Sequence, residues 1–237
     1  MKKVIITGAN GQLGKVFTQA LIDKGYFVYA VDINTNNLKD TERLKPIHLD
    51  IVNEIEVQQF FSSIQDLDIL INNAGIGVFT PFEDRTATEF KKVMEVNLLG
   101  LFLMSQSAIK IMKKCNGGKI VNIASIYGST SSDERIYGTS GRNNSEVYSA
   151  TKAGVINLTK YMAAHFGKYN IQTNSLSPGG IFNNQTEDFV LNYEYKTPMN
   201  RMGNVQDLLS TLFYLISEDT GYTNGQDIAV DGGFLSW

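Results

Sequence analysis

The sequence predicts an α/β fold in which helices cover both faces of a doubly wound parallel sheet, giving a single domain of three layers. Short apolar runs alternate with longer amphipathic stretches along the whole chain. Such alternation is typical of βαβ units, whose right-handed crossovers make the strands parallel. We find no repeat, low-complexity tract or linker, and 237 residues suffice for one sizeable core, so residues 1–237 are expected to form one domain.

The predicted elements follow this alternation. Strands are predicted at residues 3–7, 26–31, 46–49, 68–72, 119–124, 171–176 and 227–230. Helices are predicted in the intervals 13–24, 53–64, 86–114, 146–168 and 205–217. Two polar stretches, 128–145 and 181–204, are too long for plain connectors and are predicted to be functional loops beside the substrate that together form a mobile lid.

A glycine-rich turn follows the first, β-branched strand. It reads Gly8-Ala9-Asn10-Gly11-Gln12-Leu13-Gly14 and leads into an amphipathic helix. Glycines let the backbone approach a pyrophosphate without Cβ clashes, and a helix N-terminus offers unpaired N–H groups to phosphates. Three glycines alone could form an ordinary tight turn, but strand, turn and helix together are the context of a Rossmann-like dinucleotide-binding site.

The second predicted strand ends at an acidic residue, Asp32. This is about where an acidic side chain accepts hydrogen bonds from an adenosine ribose. Its carboxylate would repel a 2′-phosphate, and no Arg or Lys follows before Lys39. NAD is therefore predicted in preference to NADP.

Tyr148 and Lys152 lie four residues apart in a predicted helix, which places a phenol and an ammonium on one face. An unperturbed phenol titrates near about 10, and a neighbouring cation favours the phenolate and lowers that pKa. The pair is thus a candidate general acid/base. The spacing alone also occurs by chance in amphipathic helices.

The composition and charge of the chain limit the partners that it can be expected to have. The chain is 43% hydrophobic and 19% charged with a net charge of −3, which gives no electrostatic case for nucleic acid or membrane partners. Cys115 is the only cysteine and the two histidines, His48 and His165, are scattered, so no metal site is expected. A first strand at residue 3 leaves no room for a signal peptide, and no apolar run approaches a membrane span. A cytoplasmic protein is expected.

Together these motifs resemble the short-chain dehydrogenase/reductase family, in its single-domain branch of about 250 residues. The resemblance runs nearly end to end and in the expected order. It is carried by the glycine turn after Thr7, Asp50-Ile51, Asn72-Asn73-Ala74-Gly75, Asn97, Ser125, Tyr148-x-x-x-Lys152, Pro178-Gly179-Gly180 and Asp231-Gly232-Gly233.

The resemblance implies catalytic roles for four residues. Tyr148 would exchange a proton with the substrate oxygen and Ser125 would hydrogen-bond that oxygen. Lys152 would hold the nicotinamide ribose and depress the Tyr148 pKa, and Asn97 would complete a water-linked proton relay behind Lys152. The nicotinamide carries the hydride, so the protein orients the reactants and supplies the proton.

The resemblance also implies the cofactor contacts. The turn residues Gly8, Asn10, Gly11, Gln12, Leu13 and Gly14 would meet the phosphates and Asp32 the adenosine ribose. Asp50 and Ile51 would contact the adenine, and Asn73, Ala74 and Gly75 would line the groove. Pro178, Gly179, Gly180 and Ile181 would border the nicotinamide, beside Tyr148 and Lys152. No metal is implied.

Three positions depart from the family pattern. Gln12 stands at the usual middle glycine, and Gly8-x-x-Gly11-x-x-Gly14 instead matches the nucleotide-sugar-modifying branch. Asn183 replaces a threonine that often follows the Pro-Gly motif. Residues 128–145 contain an insertion of about ten residues between Ser125 and Tyr148.

The insertion is predicted to lie over the substrate end of the cleft. One interpretation is a solvated loop; the other makes Arg135 or Arg142 a clamp for a phosphate or carboxylate, which suits guanidinium geometry. The loop is also similar to that of reductases from bacterial nonulosonic-acid and surface-sugar pathways. A polar, sugar-like small-molecule substrate is therefore expected, and the arginine clamp of the second interpretation would make it anionic.

Two other function classes stay open at this point. The Gly11 spacing suggests a nucleotide-sugar epimerase or dehydratase, although these usually need a larger C-terminal substrate domain than the residues after Lys152 supply. A non-catalytic dinucleotide-binding protein would be free to lose Ser125, Tyr148 or Lys152, and all three are present. Family resemblance further implies a homodimer or homotetramer formed through the long helices.

Overall fold

One parallel sheet forms the centre of the computed structural model, which describes residues 1–140 and 142–237. Its strands are β1 (Lys3–Thr7), β2 (Phe27–Asp32), β3 (Leu44–His48), β4 (Ile69–Asn72), β5 (Gly118–Ile123), β6 (Ile171–Pro178) and β7 (Asp227–Val230). They lie in the order β3-β2-β1-β4-β5-β6-β7, and each neighbouring pair is parallel. The predicted doubly wound sheet is confirmed.

Helices connect the strands. They are α1 (Gln12–Asp23), α2 (Glu54–Ser62), α3 (Ala87–Met94), α4 (Leu101–Met112), α5 (Glu146–Phe166), α6 (Glu187–Lys196) and α7 (Leu209–Ile216). The predicted helix at 86–114 is in fact α3 and α4 joined by a π-helical turn, Glu95–Gly100. The other predicted helices agree with the structure to within a few residues at their ends.

Successive side chains of a strand point to opposite faces of the sheet, where they pack into two separate hydrophobic cores. On β1, Val4 and Ile6 pack with Phe17 of α1 in one core. Ile5 packs with Met104 of α4 in the other. Helices therefore cover both faces, which makes the domain three-layered.

The stretch 181–204 differs from the prediction because it contains helix α6. Tyr193 is its one fully buried residue, so the helix shows too little apolar periodicity to be recognised by sequence. The stretch 128–145 holds a short 3₁₀ turn, Glu134–Tyr137, and its residue 141 lies outside the described residues.

Within the described ranges, no helix is long and apolar enough to cross a membrane. The same residues bring no three His, Cys, Asp or Glu side chains together in a way that could hold a metal ion.

Candidate active site

A cleft of about 560 Å³ follows the carboxyl ends of the strands. Ligands bind at this edge in open α/β sheets. Most of the residues predicted as site residues line it: Gly8, Gly11, Gln12, Leu13, Asp32, Asp50, Ile51, Asn73, Ala74, Gly75, Ser125, Tyr148, Lys152, Pro178, Gly179 and Ile181. The remaining four, Asn10, Gly14, Asn97 and Gly180, lie outside the lining, next to residues that form it.

The glycine turn packs against the turn that follows β4. Gly8 has a φ of +65°, and a Cβ there would lie 2.8 Å from the Cα of Ala74. The Asn73 side chain donates hydrogen bonds to the Thr7 and Gly8 carbonyl oxygens at 2.9 and 3.0 Å. Gly14 lies beneath the turn, since a Cβ there would meet the Gly8 oxygen at 2.0 Å. The turn is thus held rigidly at one wall of the cleft.

The Asp32 carboxylate is fixed by two backbone N–H groups. Its Oδ2 accepts from Asn10 at 2.9 Å and its Oδ1 from Asn34 at 2.9 Å. The Asn10 side chain also donates to the Asn34 carbonyl oxygen at 2.8 Å. A glycine cradle with an oriented carboxylate at its edge fits the pyrophosphate and adenosine ribose of a dinucleotide.

The start of α5 fixes Tyr148. The buried Ser145 caps the helix, and its hydroxyl oxygen accepts from the Tyr148 N–H at 3.2 Å. The nearly buried Arg85 side chain pairs with Glu146 at 3.0 Å and so ties the first turn to the segment before α3. Tyr148 and Lys152 both line the cleft, one helical turn apart.

Burial dominates the electrostatics of the pair. It raises the pKa of the Tyr148 phenol, and a hydrogen bond with the Ser125 side chain lowers that pKa by a smaller amount. Burial also lowers the pKa of Lys152 to about 8. The Lys152 ammonium donates to the Ile123 carbonyl oxygen at 2.7 Å and lies 5.5 Å from the centroid of the Tyr148 ring. The net direction of the Tyr148 pKa in this structure is upward, with desolvation as the largest cause.

Asn97 lies in the π-helical turn behind the cleft. Its Oδ1 accepts from the Ile76 N–H at 2.8 Å, and its Nδ2 donates to the Ile76 oxygen and the Thr151 hydroxyl, each at 3.0 Å. A Cβ at Gly75 would lie 3.4 Å from Asn97 Oδ1 and 3.5 Å from Lys152 Nζ. The side chains of Asn97 and Lys152 therefore both lie close to Gly75.

Comparison with known proteins assigns this site to a family. A family model described as Enoyl-(Acyl carrier protein) reductase matches residues 8–235. A short chain dehydrogenase from Leptospira borgpetersenii serovar Hardjo-bovis with bound NAD+ is 44% identical, with a TM-score of 0.94 over 98% of this chain and 92% of that chain. The chain belongs to the short-chain dehydrogenase/reductase family. It is an NAD(P)-dependent oxidoreductase that acts on a small molecule.

Curated family members cover the chain almost completely. A D-arabinitol 2-dehydrogenase (ribulose-forming) of Scheffersomyces stipitis is 32% identical over 98% of this chain and 93% of its own length. A 2-dehydro-3-deoxy-D-gluconate 5-dehydrogenase of Formosa agariphila is 31% identical over 99% of this chain and 93% of its own length. By name, these two relatives act on a polyol and a sugar acid.

Solved family structures hold either cofactor. A 4-hydroxyisoleucine dehydrogenase complexed with NADH is 35% identical, with a TM-score of 0.88 and full coverage of both chains. ElxO with NADP bound is 27% identical, with a TM-score of 0.85 over 100% of this chain and 99% of that chain.

Several residues that line this family member's cleft were not predicted. Most are apolar or glycine neighbours of predicted residues: Val31, Ile33, Leu49, Ile76, Gly77, Val96, Ile123 and Ala124. Lys92 of α3 is the one charged residue among them. A sequence signal for it was lacking, because its place at the cleft depends on how α3 packs.

The two candidate arginines of the insertion have different environments. Arg135 is 89% exposed and pairs with Asp133, through two hydrogen bonds of 2.9 and 2.7 Å. Arg142 instead stacks its guanidinium 4.0 Å from the centroid of the Phe79 ring. Its positive charge also lowers the pKa of Tyr137, although burial leaves that pKa raised. Arg142 forms no ion pair within the described part of the chain.

The insertion packs directly on α6. Asp133 also accepts from Lys196 at 2.7 Å, and the Asn192 side chain donates to the Ile136 carbonyl oxygen at 3.4 Å. The rings of Tyr137 and Phe189 meet edge to face at 5.3 Å. The two stretches that the sequence predicts as functional loops thus pack directly against each other.

Proposed function

We propose that the protein uses NAD to interconvert a secondary alcohol and a carbonyl on a polar substrate of the polyol or sugar-acid class. The observation that carries this proposal is one continuous cleft with Asp32 at one end and Ser125, Tyr148 and Lys152 at the other. The near-complete coverage by dehydrogenase relatives favours this activity over an epimerase, a dehydratase or a non-catalytic binding protein.

The catalytic roles follow from the side chains. The nicotinamide, when bound, supplies or accepts the hydride. Tyr148 gives its phenolic proton to the carbonyl oxygen in reduction and takes it from the hydroxyl in oxidation, and Ser125 hydrogen-bonds the same oxygen. The Lys152 ammonium holds the nicotinamide ribose and stabilises the phenolate that proton transfer leaves on Tyr148. Asn97 continues a water-linked proton relay behind Lys152.

Different groups of residues along the cleft would bind different parts of the cofactor. The turn from Gly8 to Gly14 would hold the phosphates, and Asp50 and Ile51 the adenine. Asn73, Ala74 and Gly75 would line the middle, and Pro178, Gly179, Gly180 and Ile181 would border the nicotinamide.

Asp32 supports NAD over NADP. Its carboxylate is held at the cleft by Asn10 and Asn34, so it can accept from ribose hydroxyls and repels a 2′-phosphate. The solved relatives at 44% and 35% identity hold NAD+ and NADH, whereas the NADP-bound relative is 27% identical.

Arg142 supports an acidic substrate. Of the two candidate arginines it is the one whose guanidinium is not paired with a carboxylate among the described residues, and such a group can bind a substrate carboxylate in bidentate fashion. The sugar-acid relative agrees with this class. The relatives reported above offer no support for a nonulosonic-acid pathway, so that finer resemblance is not part of the proposal.

Assembly and location are also proposals. Exposed apolar side chains on α3, the π-helical turn, α4 and α5 support a homodimer or homotetramer through these helices: Phe90, Leu99, Phe102 and Tyr161. Light scattering on the purified protein would give the subunit number. The cytoplasmic location stays a prediction from the sequence.

A substrate panel tests the function. Polyols, aldonic acids, their keto forms, neutral keto-sugars and apolar ketones are each mixed with the protein and either NAD+ or NADH, or NADP+ or NADPH, and the absorbance of the reduced cofactor is followed. We expect reduction of NAD+ with a polyol or sugar acid, and oxidation of NADH with the corresponding keto form. Turnover that is faster with NADPH, or confined to apolar ketones, would contradict the proposal.

A further inference from the structure

Tyr193 of α6 holds the backbone that follows β6. Its side chain is 2% exposed, and its hydroxyl oxygen accepts a hydrogen bond from the Gly180 N–H. Gly180 directly follows Pro178 and Gly179, which both line the cleft. A side chain from outside the cofactor motifs therefore fixes a turn that forms one wall of the cleft.

The two glycines of this turn make the close approach possible. A Cβ at Gly180 would lie 2.5 Å from the Tyr193 ring, too close for any side chain without displacing the ring. A Cβ at Gly179 would lie 3.2 Å from the Tyr193 hydroxyl on one side and 2.8 Å from the Asp231 Cα on the other. The turn is thus clamped between α6 and the segment that follows β7.

The Tyr193 ring has little freedom to move. It stacks on Phe234 with centroids 4.9 Å apart and an interplanar angle of 21°, and more loosely on Phe189 at 6.1 Å. Burial raises the pKa of Tyr193 to about 12, so its hydroxyl stays neutral throughout the neutral pH range. Displacing the hydroxyl would leave the Gly180 N–H without its partner, which is unfavourable for a partly buried backbone group.

We propose that Tyr193 is a positioning residue for hydride transfer, which acts by holding Gly179 and Gly180 in place as the surface against which the nicotinamide lies. This inference rests on the proposed function, which places the nicotinamide beside that turn. Because α6 also packs on the insertion through Asn192 and Phe189, Tyr193 links the substrate side of the cleft to the cofactor side.

The test compares Tyr193→Phe with Tyr195→Phe. Phenylalanine keeps the packing of the ring at 193 and removes only the acceptor oxygen. Tyr195 lies on the same helix but is 90% exposed, so its variant controls for the loss of a hydroxyl from α6. Thermal melting of both variants confirms that each is folded.

Four measurements distinguish positioning from a structural role. In Tyr193→Phe we expect faster hydrogen exchange at the Gly180 amide and a kcat lowered about tenfold, because one neutral hydrogen bond is lost. The NADH Kd should change less than about threefold, because the turn contacts only part of the cofactor. The primary isotope effect with 4-deuterated NADH should also rise, because the hydride step becomes slower. Tyr195→Phe should match wild type in all of these.

Unchanged exchange at Gly180 would overturn the inference, and so would faster exchange with an unchanged kcat and isotope effect. A wild-type protein that turns over no substrate would instead contradict the proposed function. In that case the fluorescence of bound NADH decides: a change in Tyr193→Phe alone supports the inference, and identical spectra for both variants and wild type overturn it.

Discussion

The side-chain amide of Gln12 donates a 2.7 Å hydrogen bond to the carbonyl oxygen of Phe182. Gln12 lies within the glycine turn, where it begins α1, and Phe182 directly follows Ile181, which also lines the cleft. Phe182 is itself tied to Gly203 by a 2.8 Å backbone hydrogen bond. Gln12 stands at the position of the middle glycine in the family pattern described above, so this bridge depends on a side chain that a glycine could not supply.

The bridge predicts slower cofactor exchange. In Gln12→Ala the two walls are no longer joined, so we expect the NADH dissociation rate to rise about 2- to 10-fold, as the loss of one hydrogen bond implies. Stopped-flow displacement of bound NADH measures this rate. Gln19→Ala is the matched control, since that α1 amide donates to Asp23 on the same helix and not across the cleft. Equal dissociation rates in wild type and Gln12→Ala would show that the bridge has no such role.

Asp32 is predicted to set the cofactor preference. Asp32→Asn removes the charge but retains a side-chain oxygen, so the ratio of the NADPH to the NADH Kd should fall about tenfold or more, since hydrogen bonds to charged groups contribute about 1.5–3 kcal/mol. Titration of protein fluorescence with each cofactor gives both constants. The control is Asp40→Asn, which removes the charge of an exposed carboxylate further along the chain. A wild-type protein that binds NADPH as tightly as NADH would refute the prediction.

The buried pair predicts opposite pH dependences for the two directions. Reduction needs the Tyr148 proton and the Lys152 ammonium. Burial raises the pKa of Tyr148, so the phenol stays protonated at neutral pH, whereas the pKa of Lys152 is lowered to about 8. The kcat/KM for carbonyl reduction should therefore be level below pH 7 and fall as pH rises through about 8. Alcohol oxidation needs the phenolate and should speed up with pH. A reduction rate that rises with pH would contradict this assignment.

Arg142 is predicted to bind an anionic group of the substrate. In Arg142→Ala the KM for a carboxylate substrate should rise about 10- to 100-fold, because a charge-assisted hydrogen bond contributes about 1.5–3 kcal/mol. The KM for a neutral polyol should not change. Arg135→Ala is the matched control, since Arg135 is exposed and already paired with Asp133. An unchanged KM of Arg142→Ala for an acidic substrate would contradict the proposed role of Arg142 in substrate binding.

The contacts between the insertion and α6 indicate how the predicted lid would move. The insertion and α6 are joined by the Lys196–Asp133 ion pair and by the contact of Tyr137 with Phe189. If they form a lid, as the sequence predicts, the structure favours movement of the two together. Hydrogen exchange with and without NADH would show whether both segments change protection in parallel.

Sequence predicts the parts of the site that lie at strand ends. Gly8, Asp32 and Ser125 each follow or end a short apolar strand, and the carboxyl ends of parallel strands converge on one edge of the sheet. A pattern of local motifs is therefore enough to place these residues together.

Contacts that depend on packing could not be predicted. The amphipathic pattern of residues 86–114 continues through the π-helical turn that carries Asn97, so it predicts one long helix. Tyr193 lies in a helix with only one fully buried residue, and its bond to Gly180 is set by how α6 docks. Likewise, nothing local indicates that Gln12 reaches a carbonyl oxygen 170 residues further along the chain.

The most direct test of the account is the rate of NADH oxidation by Tyr148→Phe on the best substrate of the panel. The variant loses one hydroxyl and no packing, so the NADH Kd and the melting temperature should match wild type. The rate should fall about 10²- to 10⁴-fold, the usual contribution of a positioned general acid. A variant that keeps more than roughly a tenth of the wild-type rate would contradict the role of Tyr148 as the proton donor.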